Sequence, residues 1–202
     1  MDKNDLLKHI AETGYNVGFG AKKHFATYDI VDKLPGLIGF VSTAVGIFSL
    51  FIDVLTDNYL SATFIVLGIC GLYISFYDAT KIDYETSAKE ITKIFNDLKR
   101  LYYKAKSAKP DDLAAIETEL MALENKYYQV AISKQILFSD WYAHYKFFWQ
   151  HQIGWIEEQK TFSFLRDKIP LSFSFFVLIL VVVFGSCLAQ KFFQLCATFN
   201  FG

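Results

Sequence analysis

The sequence predicts an all-α integral membrane protein with three transmembrane helices and a cytoplasmic antiparallel helical hairpin. Three stretches without a charged residue, 34–52, 59–77 and 169–190, are each long enough to cross a bilayer as a helix. Between the second and third stretches, apolar residues recur every three or four positions, which is the period of an amphipathic helix. Hydrophobic residues make up 53% of the 202 residues, which excludes a disordered chain.

The overall composition excludes several classes of protein. The 20 basic and 21 acidic residues give a net charge of −1, so we expect no direct binding of nucleic acid. The 3 cysteines are too few for a disulfide framework. The sequence contains no paired nucleophile and base, no metal-ligand set and no cofactor fingerprint, so we predict neither an enzyme nor a bound metal or cofactor.

Residues 1–33 are predicted to form a cytoplasmic interfacial segment that leads into the first span. They carry five lysines and several aromatic residues, a combination typical of a membrane surface. The glycine-rich run at 14–23 invites comparison with a phosphate-binding loop, but it lacks the terminal Gly-Lys-Ser/Thr and no strand precedes it. We expect no cleavable signal peptide, because the first apolar stretch begins only at Leu34.

Residues 34–77 are predicted to form a transmembrane hairpin with spans at 34–55 and 59–77. Pro35 is expected in the first helical turn of its span, where its missing N–H costs nothing. Small residues lie on one face of each span and let helices approach closely in lipid, either to close the hairpin or to line a water path between subunits. These residues are Gly36, Gly39, Thr43 and Gly46 in the first span, and Ser61, Gly68, Gly71 and Ser75 in the second.

The linker between these two spans carries Asp53 and Asp57 and no basic residue. Because lysine and arginine favour the cytoplasmic side, we predict that the linker faces outward and that the N-terminus and residues 78–168 are cytoplasmic. The two carboxylates are either ordinary solvated charges or an outer ring that favours cations at a pore mouth.

Charged side chains are absent from all three apolar stretches, whereas proton-coupled carriers mark their pathways with such residues. We therefore do not expect a secondary transporter. Three spans are also too few to surround an aqueous pathway within one chain, so any conduction requires a homo-oligomer in the lipid bilayer.

Residues 78–138 are predicted to form the cytoplasmic helical hairpin. One apolar stripe runs from Tyr84 to Ala105 with the spacing of a coiled coil, and a second runs from Leu113 to Leu137. Pro110 separates the two stripes. Residues 78–168 contain fourteen basic and fourteen acidic residues, a balance typical of a self-associating stalk rather than of a polyanion-binding surface.

Residues 139–168 are predicted to form an aromatic-rich juxtamembrane helix. Its rings lie either at the membrane interface or in a helix-bundle core, and a pocket that stacks a nucleobase is the remaining alternative. The candidates for the interface are Trp141, Tyr145, Phe148, Trp149 and Trp155. Residues 169–190 then form the third span, and residues 191–202 a short outer tail.

The run YNVGFGAKKHFATYDIVDKLPGLIGF at residues 15–40, the close pair of spans and the helical region after them resemble the SLATT family. Its members are two-transmembrane effectors of bacterial conflict systems. The resemblance implies a bacterial inner membrane, an antiphage role and assembly into membrane-disrupting pores. It also implies a nucleotide second messenger, a partner synthase or a reverse transcriptase as candidate partners. No catalytic residue carries over, and the third apolar stretch departs from the usual pair of spans.

Together these features predict a membrane effector that oligomerises on activation and permeabilises or depolarises the inner membrane, causing abortive infection. The alternative is a non-conducting membrane anchor or scaffold that docks a partner enzyme through its cytoplasmic helices.

Overall fold

The computed structural model describes the backbone of residues 1–151 and 153–199, and the side chains of these residues other than 165, 166 and 187–199. Within this part of the chain the regular structure is entirely helical, which confirms the all-α prediction. The helices are α1 (Lys3–Phe48), α2 (Asn58–Ser75), α3 (Lys81–Ser107), α4 (Leu113–Val130), α5 (Ser139–Gln150), α6 (Gly154–Glu157), α7 (Phe164–Asp167) and α8 (Leu171–Phe199). Single 3-10 turns lie at Asp53–Thr56, Asp78–Thr80 and Pro110–Asp112.

The chain divides into two units, and the second begins at Phe162. The first unit holds α1 to α6, and the second holds α7 and α8. α8 is 29 residues long, and its side chains from Leu171 to Ser186 are exposed. The helix continues to Phe199, nine residues beyond the predicted end of the third span at residue 190, and the outer location of residues 191–202 stays a prediction. That α8 crosses a membrane as a third span stays a prediction.

α1 is one continuous helix of 46 residues, about 69 Å long at 1.5 Å per residue. The prediction of an interfacial segment at 1–33 is therefore wrong, because this part of α1 lies inside a helical bundle. Its apolar and small residues recur at helical spacing and are buried, among them Leu6, Ile10, Val17 and Ala21. The predicted position of Pro35 in a first helical turn is also wrong, since it lies within α1.

α3 runs antiparallel to α1 and packs along its length. At one end the Lys3 ammonium donates to the carbonyl of Ala108 over 3.1 Å, and at the other Lys81 pairs with Asp32 over 3.4 Å. α3 therefore buries its apolar stripe largely against the N-terminal helix. The sequence pattern assigned that stripe to a two-helix hairpin and missed this larger partner.

α4 returns along α3, as the predicted hairpin requires, and adds a third helix to the bundle. The Lys104 ammonium and the Glu119 carboxylate are 2.7 Å apart near the turn, and the Ser87 hydroxyl donates to the Val130 carbonyl at the far end. α4 ends at Val130, so the predicted helical region 78–138 stops short by eight residues. A cytoplasmic location for this bundle stays a prediction.

Three glycines in α1 explain how the bundle closes around that helix. A Cβ atom at Gly14 would overlap the indole ring of Trp155, and one at Gly18 would lie 2.7 Å from Phe95. At Gly20 the corresponding atom would lie 2.5 Å from the Tyr127 hydroxyl. The absent side chains thus admit large rings from α3, α4 and α6, which outweighs the helix penalty of about 1 kcal/mol per glycine.

Residues 139–168 do not form the single juxtamembrane helix that their composition predicts. α5 ends at Gln150, α6 follows after a short break, and residues from 162 belong to the second unit. α5 buries Ala143 and Phe147 against α1. The aromatic residues of this region therefore serve partly as bundle core.

The two predicted spans of the hairpin are present as long apolar helices, but with shorter bounds. α1 ends at Phe48 rather than at residue 55, and α2 covers Asn58–Ser75 rather than 59–77. The chain has two helices long and apolar enough to cross a membrane within its described residues, and only 6% of the residues in each apolar window are buried.

Candidate functional site

The small residues of the two spans face open space within a single chain. A Cβ atom added at Gly36, Gly39, Gly46, Gly68 or Gly71 would meet nothing within 4 Å. The interpretation that these faces close the hairpin is therefore wrong. A role between subunits stays a prediction, since such faces suit close helix contacts in lipid.

The hydroxyl groups on the same faces bond to their own helices. Thr43 donates to the carbonyl of Gly39 over 2.8 Å, and Ser75 donates to that of Leu72 over 2.7 Å. Ser61 makes a longer bond of 3.3 Å to the carbonyl of Asp57. The hydrogen bonds of these hydroxyls are thus made within each helix, so the absence of a partner helix leaves none of them unpaired.

The spans meet through bulky apolar residues at the end nearest the bundle. A cavity of about 250 Å³ lies between Ile38 of α1 and Leu67 of α2, and residues between α4 and α5 complete its wall. The lining is Ile30, Leu34, Ile38, Leu67, Cys70, Tyr73, Ile74, Ile136, Leu137 and Phe138. The hairpin is therefore held at its inner end, and the glycine faces lie elsewhere on the helices.

The two carboxylates of the linker differ in their structural roles. Asp57 caps the N-terminus of α2, where its Oδ1 accepts the Tyr59 N–H over 2.7 Å. Asp53 is exposed and begins a 3-10 turn, in which its carbonyl accepts the Thr56 hydroxyl over 2.6 Å. The structure thus explains Asp57 as a helix cap, and a carboxylate ring at a pore mouth stays a prediction.

The candidate interfacial aromatics divide into two groups. Trp155 is only 3% exposed and belongs to the bundle core, so its interfacial assignment is wrong. Tyr145 and Trp149 are exposed on α5, whereas Trp141 and Phe148 are half-buried. The sequence could not separate these groups, because the burial of Trp155 depends on Gly14 of a distant helix.

Between α4 and α5, residues 131–138 form an irregular connection that we call the junction segment. It lies where the spans leave the bundle, and side chains from three helices form hydrogen bonds with it. The Tyr84 hydroxyl donates to the Lys134 carbonyl over 2.6 Å, and the Thr27 hydroxyl donates to the side-chain oxygen of Gln135 over 2.5 Å. The backbone of Leu137 donates to the Tyr73 hydroxyl over 3.4 Å.

His24 is the buried polar anchor of the junction segment. Its Nδ1 donates to the carbonyl of Gly20 over 2.7 Å, and its Nε2 accepts the N–H of Ile132 over 2.9 Å. Only the neutral ring can make both bonds, because protonated Nε2 is a donor. Burial, aided by the charge of Lys23, lowers the pKa of His24 and favours this neutral form.

An apolar cluster couples the junction segment to both spans. Ile136 is buried with Val31 of α1 and with Ile74, Tyr77 and Tyr84 of the second span and α3. Tyr28, Ile30, Ile38 and Ile132 pack around them. A displacement of the junction segment must therefore disturb both spans at their inner ends.

Ion pairs fix α5 beside this cluster. The Asp29 carboxylate of α1 pairs with Lys146 of α5 and lies 2.5 Å from Lys33. Burial alone would raise the pKa of Asp29, but the bonds from the two lysines outweigh it and lower the pKa. Lys23 pairs with Asp140 over 2.8 Å at the start of α5.

Sequence reasoning missed His24, Thr27 and Tyr84 as functional candidates. The sequence did hold one signal. His24 and Thr27 are polar, yet they lie on the face of α1 that also buries Gly20 and Val31. Within the described residues, no group of three or more histidine, cysteine, aspartate or glutamate side chains could hold a metal ion.

A comparison with protein families gives a match over most of the chain. The family described as SMODS and SLOG-associating 2TM effector domain 6 matches residues 1–177. The chain belongs to the SLATT family. The match covers the SLATT bundle, both spans of the hairpin and only the first residues of α8, so most of the third apolar helix lies outside it. No curated protein and no solved structure matches the chain.

Proposed function

We propose that this SLATT protein is a homo-oligomeric effector that permeabilises the bacterial inner membrane when a conflict system is activated. One observation carries the proposal. The apolar windows of both spans are only 6% buried, although the bundle below them is densely packed. A hairpin this open cannot enclose a path by itself, and its uncovered faces are available to other copies.

The glycine faces are the best candidates for contact between copies. In lipid, helices associate through close packing of small residues rather than through hydrophobic burial. Gly68 and Gly71 leave such a surface open on α2, and Gly36, Gly39 and Gly46 do so on α1. Assembly through these faces would leave the bulky inner contacts of the hairpin intact.

The connection between bundle and membrane supplies a route for the signal. α1 passes from one to the other without interruption, so a rotation of its lower half moves the first span. Pro35 lies at this transition and lacks the N–H that would bond to Val31, which weakens the helix there. The junction segment contacts the same region of α1 and the inner end of α2.

Membrane-potential dyes test the proposal in cells that express the chain with and without its activating genes. Activation should depolarise cells that carry the wild-type chain and leave cells with Gly68→Leu polarised, because the larger side chain blocks close approach of copies. Val66→Leu is the matched control, since Val66 is 58% exposed and lies on the opposite side of α2. An unchanged potential in activated wild-type cells would refute the proposal.

A non-conducting scaffold is the second candidate function, favoured by the exposed aromatic face of α5. Tyr145 is 52% exposed and Trp149 is 65% exposed, as expected of a surface that docks a partner enzyme. The test must use the full chain, because the bundle is built around residues 3–33 of α1. A scaffold would capture the partner and leave reconstituted liposomes sealed, and Trp149→Ser would reduce the capture.

A further inference from the structure

The helical bundle contains two half-buried lysines without a counter-ion. Lys22 of α1 and Lys99 of α3 make no ion pair with any acidic side chain that the structure describes. Their neighbours Lys23 and Lys146, in contrast, pair with Asp140 and Asp29. Partly buried charges are normally paired, because desolvation without a partner is costly.

Two buried nitrogen atoms in the same bundle also lack partners. His151 Nε2 and Trp155 Nε1 have no hydrogen-bond partner within the described part of the chain. Both rings pack on Phe95, with centroid distances of 4.7 Å for His151 and 5.6 Å for Trp155. The indole N–H can only donate, and a protonated imidazole donates from both nitrogens. Unsatisfied buried polar atoms are rare in folded proteins, so this pair calls for an acceptor.

Lys22 and Lys99 lie on two helices that both contact the Phe95 ring, on which His151 packs. Lys99 follows Phe95 by one turn of α3, and Lys22 follows Gly18, whose added Cβ atom would lie 2.7 Å from that ring, by one turn of α1. Burial, followed by the charges of Lys22 and Lys99, lowers the pKa of His151 to about 4. The pKa of Lys22 is lowered by burial and by the charge of Lys146 on α5. The Asp29 carboxylate does not neutralise these positive charges, because it is already paired with Lys146 and Lys33.

We propose that Lys22, Lys99, His151 and Trp155 form a binding site for a soluble phosphate-bearing anion. These side chains offer positive charge and N–H donors, which suit the oxygens of a phosphate group. The Glu158 carboxylate, which accepts the hydroxyl of Tyr102 beside Trp155, is already paired with Lys106. The surrounding rings of Phe95 and Trp155 lie against Gly18 and Gly14 in the core. The site therefore recognises the phosphate charge rather than a stacked base.

The position of the site along α1 excludes a lipid headgroup as the source of the phosphate. Lys22 lies twelve residues before Leu34, the first residue of the first apolar stretch. At 1.5 Å per residue this separation is about 18 Å along the helix axis. The anion must therefore come from solution.

Equilibrium dialysis of the full chain with labelled inorganic phosphate tests the site in nanodiscs of neutral lipid. We expect saturable binding of one phosphate per chain and a loss of at least about tenfold in affinity for Lys22→Met and for Lys99→Met. The control is Lys93→Met, an exposed lysine on α3, which should retain the wild-type affinity. Circular dichroism verifies that each variant keeps its helices, and either lysine variant suffices as the test.

Equal affinity in Lys22→Met, Lys99→Met and wild type would overturn the proposal, and so would an equal loss in Lys93→Met. A second preparation in nanodiscs of anionic lipid separates the two sources of phosphate. Competition by the lipid at the same site would show that a headgroup is bound and would also overturn it. These experiments measure anion binding and not membrane leakage. The proposed anion site can therefore be refuted while the proposed permeabilisation stands, and permeabilisation can be refuted while the anion site stands.

A pH series distinguishes a ligand-binding His151 from a merely structural one. Sulfate serves as the probe, because its charge does not change between pH 5 and 8. If the bound anion restores the pKa of His151 from about 4 to about 6.5, the affinity for sulfate rises about thirtyfold from pH 8 to pH 5. His151→Gln should abolish this rise. The same rise in the variant would contradict the assignment of His151.

Discussion

Replacing Gly18 with alanine tests the aromatic packing that holds the bundle around α1. The added Cβ atom would lie 2.7 Å from the Phe95 ring and 2.9 Å from the Phe147 ring. Phe95 is 2% exposed and Phe147 is fully buried, so neither ring can move aside without displacing its helix. A single methyl group therefore strains contacts between α1, α3 and α5 together.

The size of the effect follows from a comparison with Gly36 of the same helix. Overpacking at Gly18 costs about 1–3 kcal/mol, whereas alanine in place of glycine stabilises a helix by about 0.5–1 kcal/mol. Gly36→Ala should show only the stabilisation of the helix by alanine, because its Cβ atom would meet nothing within 4 Å. The difference between the two variants isolates the clash and should be about 1–3 kcal/mol, or roughly 2–12 °C in Tm for a chain of this size.

Thermal unfolding followed by circular dichroism, in one detergent for both variants, measures this difference. Gly18→Ala should melt below Gly36→Ala by the stated amount. A Gly18→Ala protein that melts with or above Gly36→Ala would refute the packing of rings on α1. It would also remove the physical basis for treating the bundle as one body built on the N-terminal helix.

Three further perturbations test the junction and the spans. The pKa values of His24 and His151 are lowered in the folded chain, so protonation of these rings favours the unfolded chain. Tm should therefore fall as the pH decreases from about 6.5 toward 4, and a Tm unchanged over that window would contradict the burial of the two rings. Pro35→Ala restores the helical N–H and should raise Tm while weakening depolarisation on activation, whereas wild-type depolarisation would exclude a hinge at Pro35. Gly71→Leu, like Gly68→Leu, should preserve Tm and abolish depolarisation, and full activity in both variants would exclude that face of α2 from assembly.

The spans could be predicted from the sequence because their signal is local. The apolar stretches and the charges that flank them lie within single segments, and the structure places long apolar helices at the first two. The family resemblance rested on the same local features and is confirmed by the match over residues 1–177.

The bundle was harder to predict because its determinants lie far apart in the sequence. Gly14 and Gly18 appear unfavourable for a helix until Trp155 and Phe95 are known to occupy the space beside them. His24 is likewise a buried anchor only because Ile132, 108 residues away, donates to its ring. Composition left both the membrane interface and a bundle core open for the aromatic residues, and tertiary contacts decide which of them enter the core.

The central claim is that the assembled spans permeabilise the membrane. Single-cell recording of membrane potential tests it most directly, in cells that carry the chain with its neighbouring genes and are challenged with phage. We predict that protected populations contain cells that depolarise before any phage is released, and that Gly68→Leu abolishes both depolarisation and protection. Protection of the culture while every infected cell keeps its membrane potential would contradict the claim.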